Sequence, residues 1–271
     1  YTLSLRADDA AAAFLSGAAD EEITDPDIAV VEAAPPVGPN EDLLRAARRG
    51  DGDAVQRALA LGADCDAVPS KEAADQRTAL IAAATAVDRS ALRALIAAGA
   101  QVNRLSGGLT ALLAATRDSY AGRVDAVMTL LSNGADPNLA DESGNTALHF
   151  AALTREASVA HCLLDAGARM DAINREDITP LALACEAANW AVVEFLIKQG
   201  ARADVEGATP ALLFAAAVDG DDPRGVKLLL KSRAKVNATG PSGRTALMVA
   251  ALADNAEIAE ALLAAGAELE A

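Results

Sequence analysis

Apolar and polar positions alternate along this chain in two recurring blocks. The first block is seen in "TALHFAA" (146–152), where Leu148, Ala151 and Ala152 fall at i, i+3 and i+4 and so share one helical face. The second is seen in "LLDAGARMD" (163–171), where Val159, Leu163 and Leu164 line a second helix and Gly167 follows. A glycine there predicts a helix end, because the left-handed conformation after a helix costs glycine little. Thr146 precedes the first helix and predicts a cap that accepts a hydrogen bond from a free amide. In "TPLALAC" (179–185) Pro180 takes the first helical position, where its missing N–H costs nothing. Polar stretches such as "DESGN" (141–145) predict turns ahead of each helix pair.

Both blocks repeat. The second recurs as "ALALGADCD" (58–66), "LIAAGAQVN" (95–103), "LLSNGADPN" (130–138), "LIKQGARAD" (196–204), "LLKSRAKVN" (229–237) and "LLAAGAELE" (262–270). Its marker residues are 62, 99, 134, 167, 200, 233 and 266, so the spacing settles at 33. Arg233 stands where the others have glycine. The first block recurs as "TALIAAA" (78–84), "TALLAAT" (110–116), "PALLFAAA" (210–217) and "TALMVAA" (245–251), with a degenerate "NEDLLRAA" at 40–47.

With this period and with "TALHFA" and "TPLALA" each followed by a Gly-Ala ending, the chain resembles the ankyrin-repeat family. The resemblance covers residues 40–271 as seven units, at about 40–70, 71–104, 105–140, 141–173, 174–203, 204–238 and 239–271. It implies an all-α solenoid of helix-turn-helix units joined by short hairpin-like loops. No unit buries its own apolar face, so neighbours must supply the cover.

The resemblance also assigns His149 a structural role, bonding backbone near the loop. Its equivalents are Ile81, Leu113, Ala182, Leu213 and Met248, and a group replaceable by leucine does not carry an array's chemistry. No nucleophile or orienting group accompanies it. His161 and Cys162 are adjacent on a helix and point in different directions, which reads as packing rather than a reactive pair. Phosphate-loop, dinucleotide, zinc-protease and nucleophile-elbow motifs do not occur. "DGDDPRG" (219–225) lacks the calcium-loop spacing and reads as a solvated loop. "NAT" (237–239) matches a glycosylation acceptor that an intracellular chain would not use. The expectation is no catalytic residue, no metal and no cofactor.

Composition sharpens this picture. Hydrophobic residues make up 52% but aromatics only 3%, so the core must be built from alanine, leucine and valine at close approach. The net charge of −16 excludes nucleic acid as a natural partner and favours a protein or peptide with a basic patch. Cys65, Cys162 and Cys185 have neither disulfide nor zinc spacing, which points to a reducing, cytoplasmic compartment. No apolar run reaches the ~18 residues a membrane span needs. High alanine and low lysine point to a GC-rich bacterial source. The chain opens at Tyr1 rather than Met, as a processed product or excised piece would.

The resemblance implies that a partner, met by a monomeric array, touches the loop tips and the concave ends of the first helices. The tip positions are Glu142, Ser143, Asn145, Arg175, Glu176, Ile178, Ser242 and Arg244; the helix ends add Leu153, Thr154, Glu186, Ala187, Leu252 and Ala253. Two long turns, "RDSYAGRV" (117–124) and "VDGDDPRGV" (218–226), add Tyr120, Arg123, Asp221 and Arg224 as candidates for specificity. Trp190, the one tryptophan, is expected between helices rather than at a contact. Residues 1–39 do not repeat and carry one Arg against eight acids, with a linker "AAPPVGP" at 33–39. Leu3, Leu5, Phe14, Leu15, Ile28, Val30 and Val31 are expected to cover part of the array, as a cap or within its groove. The expected function is a non-enzymatic protein-binding scaffold. The alternative is a regulatory or substrate-recruiting module of a larger enzyme or effector.

Overall fold

The computed structural model describes residues 38–70, 75–118, 124–154 and 157–269. The covering role of the N-terminal apolar residues, and Tyr120 and Arg123, lie outside them. Fourteen helices occur among the described residues, in seven consecutive pairs. They are α1 (Pro39–Arg49) with α2 (Gly52–Ala60), α3 (Ala79–Thr85) with α4 (Ser90–Ala97), α5 (Ala111–Arg117) with α6 (Val124–Ser132), and α7 (Ala147–Ala152) with α8 (Ala157–Asp165). There follow α9 (Pro180–Glu186) with α10 (Trp190–Lys198), α11 (Ala211–Ala216) with α12 (Arg224–Lys231), and α13 (Ala246–Leu252) with α14 (Ala256–Ala264).

The first helices are short, seven residues or fewer from α3 onward, and would not persist alone in water. Packing holds them. Each first helix lies against the first helix of the next pair, from α1 through α13, and α8, α10, α12 and α14 stack in the same way. The core is a continuous band of alanine and leucine: Ala79, Ala111, Ala147, Ala211 and Ala246 repeat at one register, and Leu80, Leu112, Leu148, Leu181, Leu212 and Leu247 at the next, all buried. Small side chains at these positions let adjacent helices approach closely, as the low aromatic content requires.

Polar side chains fix the register. Thr78, Thr110, Thr179 and Thr245 each accept from the amide three residues on, at 3.2–3.4 Å. At Thr146 the cap is closed into a capping box with His149, in which the Thr146 N–H donates to His149 Nδ1 at 3.1 Å. The marker glycines end the second helices in the left-handed region, with φ of 87° at Gly167 and 101° at Gly200. Arg233 adopts the same conformation, at φ 69°.

A ladder of side-chain to backbone bonds then ties each pair to the next. Asp66, Asn103, Asn138, Asp171, Asp204 and Asn237 each stand four residues after a marker. Each accepts from the backbone N–H two residues after the following marker: Gln101, Asp136, Arg169, Arg202, Lys235 and Glu268, at 2.8–3.1 Å. Asn40 starts the ladder by accepting from Asp64 N–H at 2.8 Å. Asn237, the residue of the glycosylation-like triplet, is therefore a rung.

Candidate interaction surface: loop tips and first-helix ends

The loops ahead of the first helices are tight hairpins made by side chains. Asp141 Oδ1 accepts from Ser143 N–H at 2.9 Å and Asn145 N–H at 2.8 Å, and Ala140 pairs with Thr146 as an antiparallel bridge. Asn174 repeats the arrangement with Glu176 N–H at 3.0 Å and Ile178 N–H at 2.9 Å. Thr239 and Thr245 form the equivalent bridge in the last pair. Neighbouring tips are also bonded to one another. Arg175 N–H donates to Ser143 O at 2.9 Å, and Thr209 N–H to Asp177 O at 2.7 Å.

His149 belongs to this framework. Its Nε2 lies 3.1 Å from Ile178 O. A carbonyl only accepts, so Nε2 carries the proton and Nδ1 is left to accept from Thr146. The ring is fully buried, and that burial pushes its pKa below the ordinary imidazole value, against the pull of the Ile178 carbonyl. A buried neutral imidazole with both nitrogens engaged by backbone has no free atom for chemistry. His161 pairs instead with Asp165, at 2.8 Å, and its ring stacks on Phe195 at 6.0 Å between centroids. Burial pushes the Cys162 thiol up, and that of Cys185 further still, which keeps both in the unreactive thiol form.

The structure sorts the sequence-derived contact residues into two groups. Glu142, Ser143, Arg175, Glu176, Ser242 and Arg244 are exposed at the tips, and Leu153, Glu186, Ala187, Leu252 and Ala253 at the first-helix ends. The others are engaged inside. Thr154 is buried, and its hydroxyl donates to Ala151 O at 2.7 Å. Asn145 is half-buried, with its Oδ1 accepting from Asn174 Nδ2 at 2.8 Å. Ile178 is half-buried and serves through its carbonyl.

Two aspartates of "DGDDPRG", Asp221 and Asp222, are more than solvated loop residues. Asp221 accepts from Glu257 and Ile258 N–H, at 2.8 and 3.0 Å, and so caps α14. Asp222 accepts from Trp190 Nε1 at 2.7 Å and from Arg224 Nε at 2.8 Å. The Arg224 guanidinium, helped by the Arg224 N–H and Trp190 N–H, holds the Asp222 carboxyl down to about 2.

One feature of the surface escaped the sequence reading. Phe150, Leu183, Phe214 and Val249 occupy the same register on α7, α9, α11 and α13, and each is half-buried. The matching residues on α3 and α5 are Ala82 and Ala114, both buried. The signal lay in that switch from alanine to large apolar residues at a single position of the repeat. Leu153 (51% exposed) and Leu252 (69%) extend this stripe toward the helix ends.

Comparison with known proteins agrees with this architecture. The profile of ankyrin repeats (3 copies) matches residues 43–141, 119–207 and 203–271. Neurogenic locus notch homolog protein 1 of Danio rerio is 36% identical over 140 residues, which is 51% of this chain and 6% of that protein. Protein PhlB of Serratia liquefaciens is 43% identical over 102 residues, 37% of this chain and 42% of its own length. This chain thus corresponds to a small part of the first and less than half of the second. Among solved structures, the human ASB11 ankyrin repeat domain superposes with a TM-score of 0.69 at 25% identity, covering 83% of this chain and 98% of that one.

Proposed function

The chain belongs to the ankyrin-repeat family, and we propose that it is a non-enzymatic scaffold that holds a protein or peptide partner against its hairpin tips and first-helix ends. Ankyrin repeats are generally protein–protein interaction modules. The observation that carries the reading is the bonded row of tips. Ser143 and Arg175 are exposed side chains on neighbouring loops whose backbones are fixed to each other, so a partner meets a rigid edge. Preorganisation of that kind lowers the ordering cost of binding. The half-buried stripe of Phe150, Leu183, Phe214 and Val249 supplies apolar contact beside it. Among the described residues no helix is long and apolar enough to cross a membrane. The partner reading places the array in the cytoplasm as a monomer, with a basic patch on the partner complementing the net charge of −16.

The test is affinity capture with the intact chain and with Arg175, Glu176 and Arg244 changed together to Ala, folding being checked by circular dichroism. A partner retained by the parent and lost by the folded variant supports the reading. A partner retained equally by both removes the tips from it.

A second reading follows from the share of the relatives that the chain covers. It is that the array recruits a substrate or regulator for a longer polypeptide. Reading the coding sequence on both sides of Tyr1 and Ala271 tests it, a catalytic domain in frame being the supporting result.

A further inference from the structure

A groove of about 540 Å³ runs between α10 and α12, on the second helices rather than on the tips or first helices. Trp190, Ala191 and Leu228 give it an apolar floor, and Arg224, Lys227 and Lys231 line one rim, opposite Glu194. We propose that this groove is a second docking site, and that it takes an acidic amphipathic helix of a protein partner, with apolar side chains on Trp190 and Leu228 and carboxylates on Lys227 and Lys231.

The groove is held in shape by specific residues. The Trp190 ring packs so close to α12 that a Cβ at Gly225 would come within 2.2 Å of Cζ3. Asp222 Oδ2 accepts from both the indole N–H and Arg224 Nε, at 2.7 and 2.8 Å. The lengthened turn at 218–226 therefore orients an aromatic ring beside a basic rim. Tryptophan in such a setting is a usual anchor of protein interfaces.

Charge selects the occupant. α12 carries three basic residues and no acidic one, on a chain whose net charge is −16. Arg224 is committed to Asp222, and Glu194 is engaged by Lys198 at 2.8 Å and more weakly by Lys231. Lys227 and Lys231 form no ion pair among the described residues, and both are exposed. They stand one helical turn apart, about 6 Å along the axis, which matches carboxylates spaced i, i+4 on an opposing helix. The rim from Arg224 to Lys231 is about 10 Å long, room for two turns of a bound helix. That is the helix-in-groove mode of recognition. A phosphate ligand fits less well, because the one guanidinium fork is already filled and two flexible ammonium groups remain. Nucleic acid would be repelled by the rest of the surface.

Trp190 is the single tryptophan of the chain, so its fluorescence reports on the groove alone. The probe is a synthetic acetylated helical peptide with glutamates at i, i+4 and leucine and phenylalanine on the same face. It is titrated into the full chain, beside the same peptide with glutamine for glutamate, and beside inorganic phosphate. The expected result is a saturable change for the glutamate peptide that weakens with added salt. The glutamine peptide, and the folded variant K227E/K231E, should each bind at least about tenfold more weakly, while K227R/K231R should retain binding. The variant with Arg175, Glu176 and Arg244 changed to Ala should bind the probe as the parent does, which separates this groove from the tips. No saturable change, equal binding by K227E/K231E, loss of binding in the tip variant, or saturation of the same signal by phosphate would each overturn the proposal.

Discussion

His149 Nε2 donates to the carbonyl oxygen of Ile178 across 29 residues of chain, at 3.1 Å, while its Nδ1 accepts from Thr146 of its own helix start. One imidazole thus joins α7 to the hairpin that introduces α9. Replacing His149 by Leu keeps the volume and removes both bonds, leaving the Thr146 N–H unpaired and the Ile178 carbonyl with only the Asn174 N–H, at 3.1 Å. The expected cost is about 1–3 kcal/mol in urea unfolding.

The same ring predicts a pH dependence. Burial depresses the folded-state pKa below the ordinary value of 6.5. Protonation is therefore easier in the unfolded chain, and the contribution of His149 is fully present above pH 6.5 and lost as pH falls through the folded value. Unfolding midpoints at pH 7.5 and 5.5 should differ more for the parent than for His149→Leu. Equal differences would show that the ring is not buried neutral.

Asp204 is a rung of the ladder with a buried side-chain atom left over. Its Oδ2 accepts from Lys235 N–H at 2.8 Å, but its Oδ1 is buried without a partner. At the equivalent rungs Asn103 and Asn138 donate a second bond, to Gly134 O at 2.9 Å and Gly167 O at 3.1 Å. Asp204→Asn supplies the missing donor toward the Arg233 carbonyl. Thermal unfolding should show a gain of about 1 kcal/mol, and an unchanged or lower midpoint would refute the pairing.

Arg233 holds a left-handed conformation, φ 69°, at a site where the other pairs from α1 to α14 use glycine. Arg233→Gly removes the Cβ crowding and should stabilise the array by about 1 kcal/mol. The side chain is exposed, so no packing is lost. A melting temperature that stays level or drops would contradict this.

Gly225→Ala places a methyl group against the Trp190 ring, 2.2 Å from Cζ3. The indole must swing away from Asp222. The expected results are a red-shifted Trp190 emission and a loss of about 1–3 kcal/mol, as overpacking produces. Retained emission at parental stability would mean that the ring has room the structure does not show.

Much of the architecture is legible in the sequence. The 33-residue spacing, the threonine caps and the marker glycines are local signals, and Thr110 and Gly134 act as their chemistry demands. The left-handed Arg233 was legible for the same reason, because a repeat exposes its own exceptions. The contact surface was legible only in part. Glu142 and Arg175 lie exposed as expected, whereas Thr154 turns inward. A threonine hydroxyl has the choice of solvent or a carbonyl three residues back, and sequence does not say which it takes.

The sequence by itself determined the unit, its two helices, their ends and the small-residue core, since each follows from neighbours within a few residues along the chain. Only the tertiary structure decided what distant residues do to one another. That Asn138 would accept from Arg169, that Asp221 would cap a helix 36 residues on, and that Asp222 would join Trp190 to Arg224 could not be read from spacing. These bonds depend on the angle and distance at which one helix pair lands on the next. Close packing of alanine and leucine sets that landing, and it is a property of surfaces meeting rather than of any single segment.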